Sequence, residues 1–293
     1  MNKKMKILTA TVNNPLFIEM QYHTLKKYMK NDYEFIVFND AKEFPDFTND
    51  GNINIKKEIE NKCKELNIKC INLNNDNHKQ ITCPAIRCAM SMNEMHKYYL
   101  SNPDKYLIID SDMFLIDYFD INKYENYKSA ILLQERDYNN SKIKYLWNGI
   151  VYLDTTINNN LNLINWNLIY GLTDVGGYTY EWLNTQIKEN ERIPETEEIR
   201  YNKENIYNTS NIYFIKHLWS LSWDNSEMPE NLKDKTDLIS FISTDPRNKN
   251  NKYYCEIYDN CFLHYRNGGN WLKEGLNFHN DLTKKLYNSI LRC

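Results

Sequence analysis

The chain has 293 residues, of which 42% are hydrophobic, 26% charged and 14% aromatic; it is long enough to bury a substantial core and has nothing of a disordered composition. With 36 Lys and Arg against 39 Asp and Glu, the formal charge is -3, which argues against a nucleic-acid partner held by a basic excess. Seven scattered cysteines without a CxxC pair argue against a disulfide framework or zinc knuckle and point to a reducing compartment, with the cytoplasm as the expected location. Residues 6–12 are a short apolar, β-branched run that reads as a strand. Asn13-Asn14-Pro15 ends it after about six residues, below the length of a secretion signal, and no stretch approaches the ~18 apolar residues of a membrane span. A helix over 17–29 follows, opened by Asn14-Pro15, then a strand over 33–38 closed by Asn39-Asp40, a helix over 55–66 and a strand over 68–73. Pro84 opens a helix over 85–100, and 106–109 is a continuous apolar strand running into Asp110. Strands separated by helices predict an α/β fold, a single Rossmann-like, mainly parallel sheet with helices on its faces. Ligands of such sheets bind at the carboxyl ends of the strands, which brings Asn13, Asn39, Asp40 and Asp110 to one edge.

Beyond residue 116 the pattern is less regular. Residues 130–133, 149–153, 212–215, 238–243 and 261–264 read as strands, and 161–170, 178–187 and 281–291 as helices. The charged stretch 188–204 reads as a surface loop. No repeat or Gly/Ser linker divides the chain, so both halves are expected to share one core.

The chemistry is concentrated in Tyr106-Leu-Ile-Ile-Asp110-Ser-Asp112. On an extended backbone residues i and i+2 point the same way, so Asp110 and Asp112 would present two carboxylates together with Ser111 facing opposite. Two hard oxygen donors at a strand end suit Mg²⁺ or Mn²⁺, with water and phosphates completing the shell. The four apolar residues before Asp110 imply burial, and two buried carboxylates side by side are costly without a cation. An Asp-x-Asp also occurs in ordinary solvated turns.

Around this motif stand others in order. They are Thr9, Thr11 and Asn13 at the end of the first strand; Arg87 in the helix before the motif; Trp147-Asn148-Gly149 leading into a strand that ends at Asp154; Asp174-Val-Gly176-Gly177; and His264-Tyr-Arg-Asn-Gly268-Gly269-Asn270-Trp271. This series resembles the metal-dependent GT-A glycosyltransferases, closest to the glycogenin-like and bacterial galactosyltransferase-like branch, with some likeness to yeast mannosyltransferase-like enzymes. The resemblance covers about residues 6–275 as short motifs. Asn270 departs from it, standing before Trp271 where the galactosyltransferase-like branch has Lys-Pro.

The resemblance implies one glycosyltransferase domain over 1–293. Its nucleotide-sugar-binding half is 1–116; an acceptor-side subregion and a C-terminal metal and diphosphate element occupy 117–293. It implies a UDP- or GDP-sugar donor, a Mn²⁺ or Mg²⁺ ion held by Asp110, Asp112 and His264, and a glycan or other hydroxyl acceptor. Thr9, Thr11, Asn13, Asn39, Asp40, Arg87, Asp110, Ser111, Asn148, Gly149, Gly268 and Gly269 would contact the donor, with Arg87 and Asp174 as catalytic groups. That branch retains anomeric configuration; an inverting enzyme would need a carboxylate base, for which Asp174 is the candidate. Each residue has a plainer alternative. His264 is compatible with a structural histidine, Arg87 with an ion-pair partner, Asp174 with a turn cap, and Trp147 and Trp271 with packing. Two other functions compete, a non-catalytic sugar-nucleotide-binding protein and a haloacid-dehalogenase-type phosphatase. In the phosphatases the Asp-x-Asp normally follows the first strand.

Overall fold

The computed structural model describes residues 4–200, 206–269 and 274–291. The first third builds as its signals predict. Strand β1 (Met5–Thr11) gives way to helix α1 (Pro15–Tyr28), where the Asn14 side chain accepts the Leu16 N–H and Pro15 occupies the first turn, satisfying one orphan donor and removing another. Then come β2 (Tyr33–Asn39), α2 (Ile55–Glu65), β3 (Lys69–Asn72), α3 (Pro84–Ser101) and β4 (Lys105–Ile109). The remainder is β5 (Met113–Leu115), α4 (Asn122–Glu125), β6 (Ser129–Tyr138), β7 (Ser141–Asp154), α5 (Tyr180–Thr185), α6 (Thr196–Arg200), β8 (Ile212–Phe214), β9 (His217–Leu218), α7 (Thr236–Ser243), β10 (Glu256–Tyr258), β11 (Phe262–His264) and α8 (Leu276–Leu291).

The strands form two sheets. The larger has the order β3-β2-β1-β4-β7-β6-β8. β3, β2, β1 and β4 are parallel neighbours, β7 is antiparallel to β4 and β6, and β8 is parallel to β6. Strand alternation divides its side chains between two cores. Ile7, Leu107 and Ile109 face one, with α1, α2, α7, α8 and the smaller sheet; Leu8, Tyr106 and Ile108 face the other, with α3 and α5. The α/β class with a large, mostly parallel sheet flanked by helices is therefore present, but one strand runs backwards and a second sheet is added.

That second, antiparallel sheet has the order β5-β11-β10-β9. Asp259 and Asn260 both have positive φ in the three-residue β10–β11 connection, at the centre of the turn that the Cys261 N–H closes onto the Tyr258 carbonyl. The second sheet fixes the site, because β4 ends at Ile109 in one sheet and β5 begins at Met113 in the other. Three residues, 110–112, make the crossing.

Several expected elements differ. Residues 238–243 are helical, within α7, with Leu238, Phe241 and Ile242 buried on one helical face. Residues 161–170 contain only a short 3-10 turn at Leu161–Leu163; Asn160 is left-handed and the Trp166 N–H bonds to the Asn93 side chain, so a loop tied to α3 replaces the helix. Within 188–204, α6 buries Ile199, and Arg200 bonds to Glu227 and the Ser222 carbonyl, so part of that stretch packs inward. No described helix is long and apolar enough to cross a membrane.

Candidate functional site

Asp110, Asp112 and His264 offer ligand atoms that all lie within 4.8 Å of one another. The two aspartates meet because the chain turns, with the Met113 N–H bonded to the Asp110 carbonyl at 3.2 Å; the extended geometry expected for Asp-x-Asp is absent there. Gln21 of α1 braces the turn from beneath, donating to the carbonyls of Asp110 and Met113. Backbone bonds fix both ends, Asp110 N–H to the Gly149 carbonyl at 2.8 Å and Tyr265 N–H to the Asp112 carbonyl at 2.9 Å.

His264 ends β11, directly opposite Glu256 in the β10 register. Its Nδ1 lies 2.7 Å from a Glu256 carboxylate oxygen and its Nε2 3.1 Å from Asp112 Oδ1. Glu256 therefore fixes the ring and leaves Nε2 directed at the aspartates, the arrangement that orients a metal-ligating histidine. The other Asp112 oxygen accepts the Gly268 N–H at 2.8 Å. Any Cβ at Gly268 would meet the Phe17 ring at 2.4 Å, so only glycine lets the loop come this close.

The electrostatics are uneven. Burial raises the Asp110 pKa, the neighbouring Asp112 raises it further, and it reaches about 7. Burial also acts against ionised Asp112, but the His264 imidazolium and the Gly268 amide outweigh it and hold that carboxyl low. His264 is buried too, yet Asp112 and Glu256 hold its proton and lift it to about 10. Two carboxylates and one imidazole thus share a site that is buried at Asp112 and His264 and half-buried at Asp110, with a negative charge left over. The set is hard oxygen plus one nitrogen and fits a divalent cation.

Two clefts meet at this cluster. One, of about 340 Å³, runs over the ends of β1, β2 and β4 and is lined by Ala10, Val12, Asp40, Arg87, Asp110, Ser111, Asp112, Asn148 and Gly269 among others. The second, of about 310 Å³, is lined by Gln134, Glu135, Arg136, Trp219, Ser220 and Glu256. Among the described residues, four line both: Trp147, Asp174, His264 and Arg266.

Of the donor-side residues named from the sequence, Asp40, Arg87, Asp110, Ser111, Asn148 and Gly269 line the first cleft. Thr9 and Thr11 do not line it: they share strand parity with Ile7, while Ala10 and Val12 on the opposite parity form the wall. Asn13 reaches the loop, donating to the Gly269 carbonyl at 2.9 Å. Asn39 is buried and occupied by Asn72, the Lys56 carbonyl and the Ala41 N–H. Gly149 contributes its carbonyl to Asp110, and a Cβ there would strike the Trp147 ring at 1.7 Å.

Arg87 is spent on structure. It donates to Asp46 at 2.7 Å and to the carbonyls of Ile81 and His78 at 2.6 Å each, and it lies over the Phe47 ring. Beside it the buried pair Lys42–Asp40, at 2.9 Å, is completed by Ser91 and Asn75. Asp174 is exposed. Its own N–H bonds to the Tyr145 hydroxyl, which in turn donates to Gln134, while Oδ1 accepts the Val175 N–H. Trp271 and Asn270 lie outside the described residues.

Sequence reasoning overlooked Glu256, Arg266, Trp219 and Gln134. Glu256, a carboxylate inside the apolar run 255–258, carried a usable signal; the others are brought in only by tertiary packing. No protein-family model matches the chain, and no curated protein matches its sequence significantly.

Proposed function

We propose that the chain is a GT-A glycosyltransferase moving a sugar from a nucleoside-diphosphate sugar, with UDP or GDP as the nucleotide, to a hydroxyl of a glycan or other acceptor. A Mn²⁺ or Mg²⁺ ion would be held by Asp110, Asp112 and His264. The observation that carries this reading is the meeting of two clefts at a three-ligand cluster: donor and acceptor then enter from opposite sides of the group that manages leaving-group charge.

A divalent ion bound there supplies Lewis-acid stabilisation of the charge that gathers on the departing diphosphate. The residues do the rest. The first cleft takes the nucleotide across the ends of β1, β2 and β4, against Ala10 and Val12. The second takes the acceptor beside Trp219 and Gln134. As the anomeric C–O bond breaks, its electron pair passes to the β-phosphate oxygen, the acceptor oxygen bonds to the anomeric carbon, and the acceptor's proton passes to the released diphosphate. Asp174 accepts a hydrogen bond from the acceptor hydroxyl and orients it. This course retains configuration, as in the branch the motifs resemble.

The test is a screen of UDP- and GDP-sugars for Mn²⁺-dependent thermal stabilisation and slow hydrolysis. Stabilisation together with sugar release supports the reading. Binding without turnover would make the chain a sugar-nucleotide-binding protein, and phosphate release from phosphomonoesters without any sugar nucleotide would make it a phosphatase.

A further inference from the structure

Resting on that reading and deepening it, we infer that Arg266 is the protein's own cation for the donor diphosphate. Among the described residues it is the one arginine that lines both clefts. It stands two residues beyond His264, and no described residue forms an ion pair with it. Arg87, the other arginine of the first cleft, is already committed to Asp46 and two carbonyls.

Arg266 and Asn267 are consecutive left-handed residues, with φ of 69° and 59°; asparagine adopts this conformation readily, whereas for arginine the surroundings have to favour it. They do so here from three sides. Arg247, fixed by Asp245 at 2.7 Å, donates to the carbonyls of Arg266 at 2.8 Å and Tyr265 at 3.1 Å. The Asn267 side chain donates to the Tyr254 hydroxyl at 2.7 Å, and the Gly268 N–H is held by Asp112. The Tyr254 ring lies against the guanidinium of Arg247 at 4.5 Å and that of Arg266 at 5.1 Å. A cation stacked on an aromatic face keeps its fork of N–H donors for a ligand.

A braced loop that delivers a guanidinium with no ion pair among the described residues to the junction of two clefts suits recognition of a dianion at that junction. Bound in the first cleft, the donor diphosphate would reach the cluster from one side and Arg266 from the other. Arg266 would then hold the diphosphate both before and after the glycosidic bond breaks.

The test uses the full chain with UDP, GDP, uridine and guanosine as probes, by calorimetry, with Mn²⁺ and with EDTA. Arg266→Gln keeps a polar side chain and the backbone demand of the position and removes the charge; Arg266→Lys keeps the charge and most of the reach and loses the fork. The expected result is that the wild type binds one diphosphate with Mn²⁺, that Arg266→Gln weakens this at least tenfold with the matching nucleoside's affinity and the melting temperature unchanged, and that Arg266→Lys recovers part of the loss. Wild-type diphosphate affinity in Arg266→Gln, or an equal loss for nucleoside and diphosphate, overturns the inference and leaves the glycosyltransferase reading standing. Failure of the wild type to bind either diphosphate overturns both.

Discussion

The two ends of the first cleft are both rich in buried charge, and they are built on opposite principles. At the end nearest α3, Arg87 meets Asp46 and Lys42 meets Asp40, with Ser91, Asn75 and backbone carbonyls completing the shells. Every charge there has its opposite. At the other end Asp110, Asp112 and Glu256 surround one imidazole, and Asp110 keeps its proton up to about pH 7 because burial and the neighbouring Asp112 outweigh the opposing charge of His264. A matched buried cluster holds loops in place; an unmatched one is held in place by its surroundings and waits for a ligand.

That contrast is broken most directly at Asp112. Asp112→Asn removes the carboxylate that faces His264 and the clefts while keeping its shape. Metal-dependent turnover should fall about 10²–10³-fold, the several kcal/mol that Lewis-acid stabilisation is worth; wild-type turnover, or turnover indifferent to a chelator, refutes the metal centre. Arg87→Ala should behave in the opposite way. It strands Asp46 and frees two carbonyls, so chemical denaturation should show a loss of about 3–5 kcal/mol, larger than any drop in turnover per folded molecule. If turnover collapses while stability holds, Arg87 belongs to the chemistry and the matched end is misread.

How much of this was legible follows from range. The run from β1 to β4 could be read because its signals are local: Asn14-Pro15 and Pro84 open helices, and apolar runs of strand length separate them. Asp110 and Asp112 stood out for the same reason. The turn that joins their carboxylates did not, because it arises where the chain leaves one sheet for another, and the second sheet consists of strands only two or three residues long. α7 misled because Leu238, Phe241 and Ile242 sit in a segment short enough to fit either period. His264 was reachable only through the likeness of its loop to a family motif, and Arg266 only through the folded junction itself. Thr9 and Thr11 fall away from the first cleft on parity: Ala10 and Val12 of the same segment line it, and the threonines face the other way.

Glu256→Gln sharpens the unmatched end more gently. The amide keeps one acceptor for the ring but no longer supports its charge, so Mn²⁺ affinity should drop about 10–100-fold with little change in fold. In the wild type the same carboxylate and Asp112 hold the His264 proton to about 10, against ~6.5 when unfolded. The imidazolium therefore stabilises the metal-free protein fully below about pH 6.5, and that stabilisation fades as the pH rises towards 10. A metal has to displace the proton, so Mn²⁺ affinity should climb across this interval, by at most about tenfold per pH unit. A flat profile between pH 7 and 9 counts against His264 as a ligand.

The smallest effect is also the most particular, because it has the sign that structural residues do not give. Asp110 titrates near 7 when folded and near ~3.9 when unfolded. Below about pH 3.9 it is protonated in both states and costs nothing. As the pH rises the unfolded carboxyl ionises first, so the folded state loses ground, and the penalty is complete once the pH passes about 7. Asp110→Asn removes that penalty. Without metal at pH 8 the variant should be more stable than the wild type by about 1–2 kcal/mol, read as a higher denaturation midpoint at unchanged slope. At pH 4 the two should coincide, and with saturating Mn²⁺ the order should reverse, since only the wild type gains the full binding free energy. A destabilised Asp110→Asn at pH 8 without metal would mean that the carboxylate is matched after all, and the two ends of the cleft would then be alike.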